Sequence, residues 1–295
     1  MYQKILYILL LVFPVYAHSE SIAVNDDAGG RVSLSQHAQR VVSLSPHITE
    51  LLYAVGAAEK IIAAVDYSDF PSAANELPRV GSGYQLDLEA IIGLKPDLII
   101  GWQSGNSLSQ LKKLKDLGFN LYLSEPKNLH GIAKNLRDLG VLTGREKIAN
   151  QQADIFLNGL SDLRKSNSNN SKINVFYQVW EKPLFTVNGQ HMISQIIDIC
   201  GGHNVFENLS VLSPQIDIEA VLAMNPQIII AGAGKSRENW LENWKKWTSV
   251  EAVKRNQLYG INADLIVRHT PRILQGARKM CEHIEKARKN ISPTY

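Results

Sequence analysis

The feature that most constrains this 295-residue chain is an internal repetition. Residues 87–100 read DLEAIIGLKPDLII and residues 217–230 read DIEAVLAMNPQIII; the two superpose without a gap at an offset of 130 (217 − 87), with six identities. Each copy carries an Asp suited to cap a helix, a short helical stretch, a Pro that stops it, and a β-branched run. Uninterrupted apolar strands such as Leu98-Ile99-Ile100 and Ile228-Ile229-Ile230 suit parallel sheets covered on both faces. Two such units predict an α/β chain with two Rossmann-like lobes.

Other elements arrange themselves around these anchors. Arg40 to Leu44 reads as a strand, Ser45 with Pro46 starts a helix through Val55, Gly56 ends it, and Ile61 to Val65 is a second strand. In the second half, Ile173 to Tyr177 reads as a strand and Met192 to Ile199 as a helix closed by Gly201-Gly202. The repeated helix and strand follow, then a Trp-bearing helix and the strand Leu258 to Ile261. Between the halves, Gly144 to Lys165 has few breakers and reads as one long helix, with Ser166 to Ser171 an exposed polar loop. The expected layout is a first lobe over 38–142, a linker helix over 143–166 and a second lobe over 172–291. A single helical crossover permits only small rigid-body motion between lobes.

Lys4 precedes an apolar run from Ile5 to Val12, and Val15 and Ala17 sit where a signal peptidase reads small residues. Residues 1–17 are therefore expected to be a cleaved signal peptide, and no cysteine stands beside the cleavage site to carry a lipid anchor. The run is short of the roughly 20 apolar residues that span a bilayer. With 31 basic and 28 acidic residues the net charge is +3, and no Lys/Arg stripe of the phosphate-neutralising kind is seen, so nucleic acid is not an expected partner. Cys200 and Cys281 are the two cysteines. An exported chain favours a disulfide between them, and two buried free thiols are the alternative.

Glu89 and Glu219 occupy equivalent places in the two repeats, in the first turn of a short helix. Taken alone, that is ordinary complementation of a helix dipole. Tyr67 follows a strand and precedes a Pro-led turn, on the rim of the first lobe. Trp102 ends a strand, where ligands of α/β lobes collect, and Tyr84 lies just before the repeated helix. Phe185, after Trp180, would face these from the second lobe, where the segment Asp264, Leu265, Ile266, Val267 and Arg268 follows the strand Leu258 to Ile261. Any one of these aromatics could equally serve packing.

Several signals carry less. Ala231 to Ser236 resembles a phosphate-binding loop, but Ile229 stands where its first glycine belongs. Trp240, Trp244 and Trp247 recur at helical spacing, which suits core packing. The eight histidines are scattered, so no metal site is expected. His191 and His269 lie near the expected cleft, where each is read as a hydrogen-bonding side chain rather than a metal ligand. No nucleophile elbow, paired-carboxylate site or triad spacing is present, and the chain is not expected to be an enzyme.

The pieces SLSPHITEL, YSDFP, DLEAIIGLKPDLIIGW, ICGGHNVF and DLIVRHTPRILQGARKMC together resemble the periplasmic cobalamin-binding proteins of the BtuF type. These fall within the helical-backbone, class III periplasmic binding proteins that also carry iron siderophores and haem. The resemblance runs from about Arg40 to Ile284. It implies a monomeric carrier that takes cobalamin or a related corrinoid as transported cargo, needs no cofactor, and hands the cargo to the membrane permease dimer of an ABC importer. It implies that Cys200 and Cys281 pair and that Glu89 and Glu219 dock the two permease subunits. It also implies that Tyr67 contacts the corrin, with Asp264 and Arg268 on its polar edge. The chain departs from the family at Leu265, Ile266 and Val267, which are less aromatic, at Gly83, and near Ser213, where no Trp stands. An iron-siderophore or haem carrier of the same fold is the alternative, and a nucleotide hydrolase built on Ala231 to Ser236 is a weaker one.

Overall fold

The computed structural model describes residues 22–234 and 240–291. The expected signal peptide, and Lys235 and Ser236 of the glycine-rich stretch, lie outside the described residues.

The described residues begin with a hairpin that sequence reading did not foresee, β1 (Ile22–Asn25) antiparallel to β2 (Arg31–Leu34). The first lobe holds β3 (Val41–Ser43), α1 (Pro46–Ala54), β4 (Ile61–Ala64), α2 (Leu88–Gly93), β5 (Leu98–Trp102), α3 (Leu108–Asp116) and β6 (Leu121–Ser124). Two long helices follow, α4 (Leu129–Thr143) and α5 (Glu146–Asn167). The second lobe holds β7 (Ile173–Gln178), α6 (Met192–Ile199), β8 (Gly202–Asn204), α7 (Ile218–Met224), β9 (Ile228–Ala233), α8 (Glu251–Lys254), β10 (Leu258–Asn262), α9 (Asp264–Val267) and α10 (Ile273–Ile291).

The lobe sheets are β4-β3-β5-β6 and β10-β9-β7-β8, parallel throughout. Numbered by appearance within its own lobe, each has the order 2-1-3-4. The repeated motif thus reflects a repeated topology, with β5 and β9 as the third strand of each sheet.

Period-two alternation sorts the strand residues between layers. Val41, Leu98 and Ile100 of the first sheet, and Val175, Ile228 and Ile230 of the second, enter one core that runs through both lobes. It is completed by Leu136 and Phe156 of the long helices and by Ile196 and Ile284. Val42 and Ile99 turn to a separate core on the outer face of the first lobe, and Phe176 and Ile229 to its counterpart in the second. Burial on both faces is why these strands read as continuous apolar runs.

Gly144 ends α4 with φ +67°, the left-handed cap that lets the chain turn directly into α5. The linker helix runs from Glu146 to Asn167, so Ser166 and Asn167 belong to the helix and not to the exposed loop expected from Ser166 onward; the Asn167 amide donates back to the Leu163 carbonyl at 2.7 Å. Cys200, at the end of α6, is bonded to Cys281 of α10, a separation of 81 residues within the second lobe. The Trp-bearing segment is not the expected helix. Only Glu242–Trp244 forms a 3₁₀ turn. Trp244 packs edge-on against Phe176 and donates to Gln178 at 2.7 Å, while Trp240 meets Trp180.

Candidate functional site

Within the first sheet the neighbours β3 and β5 are first and third in sequence, which makes their carboxyl ends a topological switch point, the usual crevice for ligands. Beyond β3 the Ser45-Pro46 step starts α1 and delivers His47 to that crevice. The ring is buried, with Nδ1 hydrogen-bonded to Ser45 Oγ at 2.7 Å and Nε2 to Ser124 Oγ at 3.3 Å. Beyond β5, Trp102 donates its backbone N–H to Asn106 Oδ1 at 2.7 Å, while Asn106 Nδ2 donates to the carbonyls of Leu44 (2.9 Å) and Gly83 (2.8 Å). One buried amide thereby ties the ends of both strands to the loop that carries Tyr84. The indole of Trp102 lies over Gly105, where a Cβ would come within 1.8 Å of the ring, so this contact needs glycine.

The second lobe closes on the same point. His269 lies 5.8 Å from His47 and 6.3 Å from Trp102, centroid to centroid, and His47 lies 5.3 Å from Trp102, so rings from both lobes meet at the cleft floor. Burial, with the neighbouring His269 ring and the Arg268 guanidinium opposing a further positive charge, holds His47 well below the usual imidazole range. Burial, with His269 adding to it, pushes His191 down to about 4. Burial also lowers His269, against the opposing pull of Glu125. All three are therefore neutral at pH 7. Among the described residues no group of three or more His, Cys, Asp or Glu side chains could hold a metal ion.

Tyr67 stands at the cleft rim with 81 % of its surface exposed and φ +63°, a conformation that bulky non-glycine residues adopt rarely. Its loop is pinned from beneath. Arg79 donates to the carbonyls of Val65 (3.2 Å), Ser68 (3.0 Å) and Ala74 (3.1 Å), and the Ser68 hydroxyl accepts from Thr49 Oγ1 at 3.2 Å in the core. Tyr84 is likewise 80 % exposed.

Arg268 crosses between the lobes to Glu50 of α1 at 2.8 Å and to Asp69, two residues past Tyr67, at 2.7 Å; Asp264 approaches it from its own lobe at 3.3 Å. Arg272 shares Glu50 at 3.1 Å and lies 3.7 Å over the ring of Phe70.

The structure thus brings the loop of Tyr67, Trp102, Asp264 and Arg268 together and ties the Tyr84 loop to them through Asn106. Phe185 is half-buried in the turn after β7, bridged to Trp180 and Gln215. The segment Asp264–Val267 is a helical turn rather than a loop, and the helical period splits it. Val267 is exposed and Leu265 partly so. Ile266 is only 1 % exposed, inside the shared core, and this corrects its placement on the cleft surface. Glu89 and Glu219 are exposed on α2 and α7, whose caps Asp87 and Asp217 accept from the N–H of Ala90 and Ala220 at 2.9 and 2.8 Å. The two docking candidates are geometrically equivalent.

Sequence reasoning did not single out His47, Glu50, Asp69, Asn106 or Arg272. A signal existed for two of them: in SLSPHITEL, His47 and Glu50 are three apart at the start of the helix after the first strand, and so share a face at the switch point.

Comparison with known proteins accords with this geometry. The profile of the periplasmic binding protein family matches residues 41–265. The vitamin B12-binding protein of Vibrio cholerae serotype O1 is 38% identical over 253 residues, 85% of this chain and 91% of the relative. That of Yersinia pestis is 34% identical over 251 residues, covering 85% and 88%. The crystal structure of the periplasmic vitamin B12-binding protein BtuF of Vibrio cholerae superposes with a TM-score of 0.78 over 85% of this chain and 98% of that one. The haem-binding protein RhuT of Roseiflexus sp. RS-1, at 18% identity and a TM-score of 0.76 over 85% and 99%, shares the fold. By its sequence, its twinned parallel sheets and its helical connection, the chain belongs to the periplasmic binding protein family.

Proposed function

We propose that this protein is a periplasmic carrier that captures cobalamin or a close corrinoid between its lobes and hands it to an ABC importer. The observation that carries the reading is the first-lobe wall of Tyr67, Tyr84 and Trp102 opposite the Asp264–Arg268 turn, in a chain 38% identical to a vitamin B12-binding protein. A corrin is broad, flat and amphipathic. Aromatic walls bury its faces at little conformational cost, and polar groups at the mouth suit its amide fringe. In this reading residues 1–17 direct export and are removed, and the mature protein acts as a monomer with no resident cofactor. The lobes extend over 38–142 and 172–291 about the linker helix. Glu89 and Glu219, one on each lobe, dock the two permease subunits through exposed charges that set orientation and association rate.

Titration of the mature protein with cyanocobalamin, read by calorimetry and by the ligand's visible spectrum, tests the proposal. The expected result is saturable one-to-one binding in the nanomolar range, weakened by Tyr67→Ala and by Trp102→Ala. Absence of binding at concentrations on the order of tens of micromolar overturns it and makes an iron-siderophore or haem carrier the reading to test.

A further inference from the structure

We infer that Glu50, Asp69 and Asp264 make this cleft select amide-bearing ligands over carboxylate-bearing ones, by outnumbering the positive charge of Arg268 and Arg272, with which they form ion pairs. The inference rests on the corrinoid reading and adds a chemical class to it. A site built for an anionic chelate presents guanidinium groups free to meet carboxylates. Here the two arginines at the lobe junction face three carboxylates, one negative charge in excess. Glu50 is the pivot. Its side chain is 2 % exposed, one oxygen accepts from both arginines, and the other, Oε2, is buried without a hydrogen-bond partner.

A ligand carboxylate approaching either arginine meets the surplus negative charge of Glu50, Asp69 and Asp264, which already pair with the two guanidiniums. Displacing Glu50 would leave a buried charge uncompensated, which is strongly unfavourable. A primary amide faces no such barrier. Asp69 and Asp264 are about half exposed, and each carboxylate has more acceptor sites than Arg268 occupies, so both can accept ligand N–H groups. The neutral imidazoles of His47, His191 and His269 add no positive charge nearby. Glu50 acts through Arg268 and is a positioning residue; Asp69 is a ligand-facing specificity residue.

The test compares cyanocobalamin with its peripheral monocarboxylic acid, one propionamide hydrolysed, by calorimetry on wild type, Asp69→Asn and Glu50→Gln, with circular dichroism to confirm folding. Wild type is expected to bind the acid roughly 10-fold or more weakly than the amide, the scale of one uncompensated like-charge contact. Both variants are expected to narrow that ratio, Glu50→Gln more, as Arg268 becomes free to meet a carboxylate. Equal affinities in wild type, or a ratio unchanged in the variants while cyanocobalamin still binds, overturns the inference and leaves the functional reading standing. Failure of wild type to bind cyanocobalamin overturns both. Asp69 is exposed, so Asp69→Asn decides the matter if Glu50→Gln fails to fold.

Discussion

The two lobes share a strand order, a capped short helix and a carboxylate on its first turn, yet their cleft faces differ. The first lobe meets the crevice with Tyr67, Tyr84, Trp102 and two acids, Glu50 and Asp69, on a loop and a helix fixed from below. The second meets it with Arg268, Arg272 and His269 on a helical turn and the residues after it, and carries the disulfide. The two halves keep the same strand order and capped helix, and they differ in the side chains that they bring to the junction between them. In the proposed function docking is symmetric and capture is not.

Four experiments sharpen or break that contrast. The largest effect is expected from Cys200→Ser with Cys281→Ser, which removes a staple present only in the second lobe and should cost roughly 4 kcal/mol in the chain-entropy picture. Urea unfolding measures it. Because one core joins the lobes, a single transition at lower urea is expected; a separate early transition of the second lobe would show the lobes to be independent.

Acid should come next. His191 has its pKa lowered from 6.5 to about 4 in the folded protein, so the unfolded chain takes up a proton that the folded one refuses. Stability is complete above about pH 6.5 and falls as the pH drops toward 4, by about 3 kcal/mol for this group alone. His47 and His269 add in the same direction. Thermal unfolding between these pH values checks it, and His191→Gln should flatten the slope.

Binding should then separate the two walls. Trp102→Ala is expected to weaken cyanocobalamin binding by about 10-fold or more, the worth of a buried aromatic face, and Phe185→Ala by much less, since Phe185 belongs to the turn with Trp180. Equal losses would mean that the ligand sits deeper in the second lobe than this arrangement allows. The smallest effect is reserved for symmetry. Glu89→Ala and Glu219→Ala should each slow association with the importer by about the same few-fold factor, more at low salt than at high, with cyanocobalamin affinity unchanged. Unequal slowing, followed by surface-immobilised importer, would break the equivalence.

Most of the fold was legible because it is written locally. The Pro-stopped helix and the β-branched run of each repeat fall where the structure has α2, β5, α7 and β9, and the strand at Arg40, the helix at Pro46 and that at Met192 form as expected. Failures occurred where tertiary contacts outweigh local pattern. The hairpin β1–β2 depends on Asp26 and Asp27, whose carboxylates accept from Leu123, Glu125 and Asn135 about a hundred residues away. The tryptophan spacing suggested a helix, but Trp240 and Trp244 are drawn to different aromatic partners. At the site, exposed aromatics and strand-end position were readable. The charge cluster was not, because Glu50 and Arg268 lie 218 residues apart and only folding makes them neighbours.

The core that runs unbroken through both lobes has a consequence for traffic. Lobes fused behind the crevice cannot swing far, so Glu89 and Glu219 keep almost the same spacing whether the crevice is empty or filled. In the proposed function, an importer that recognises that spacing would receive little news of the cargo and would admit idle carriers along with laden ones. Throughput would then depend on the ratio of carrier to vitamin, and overproducing the carrier in scarcity would slow uptake by crowding the gate with empty vehicles.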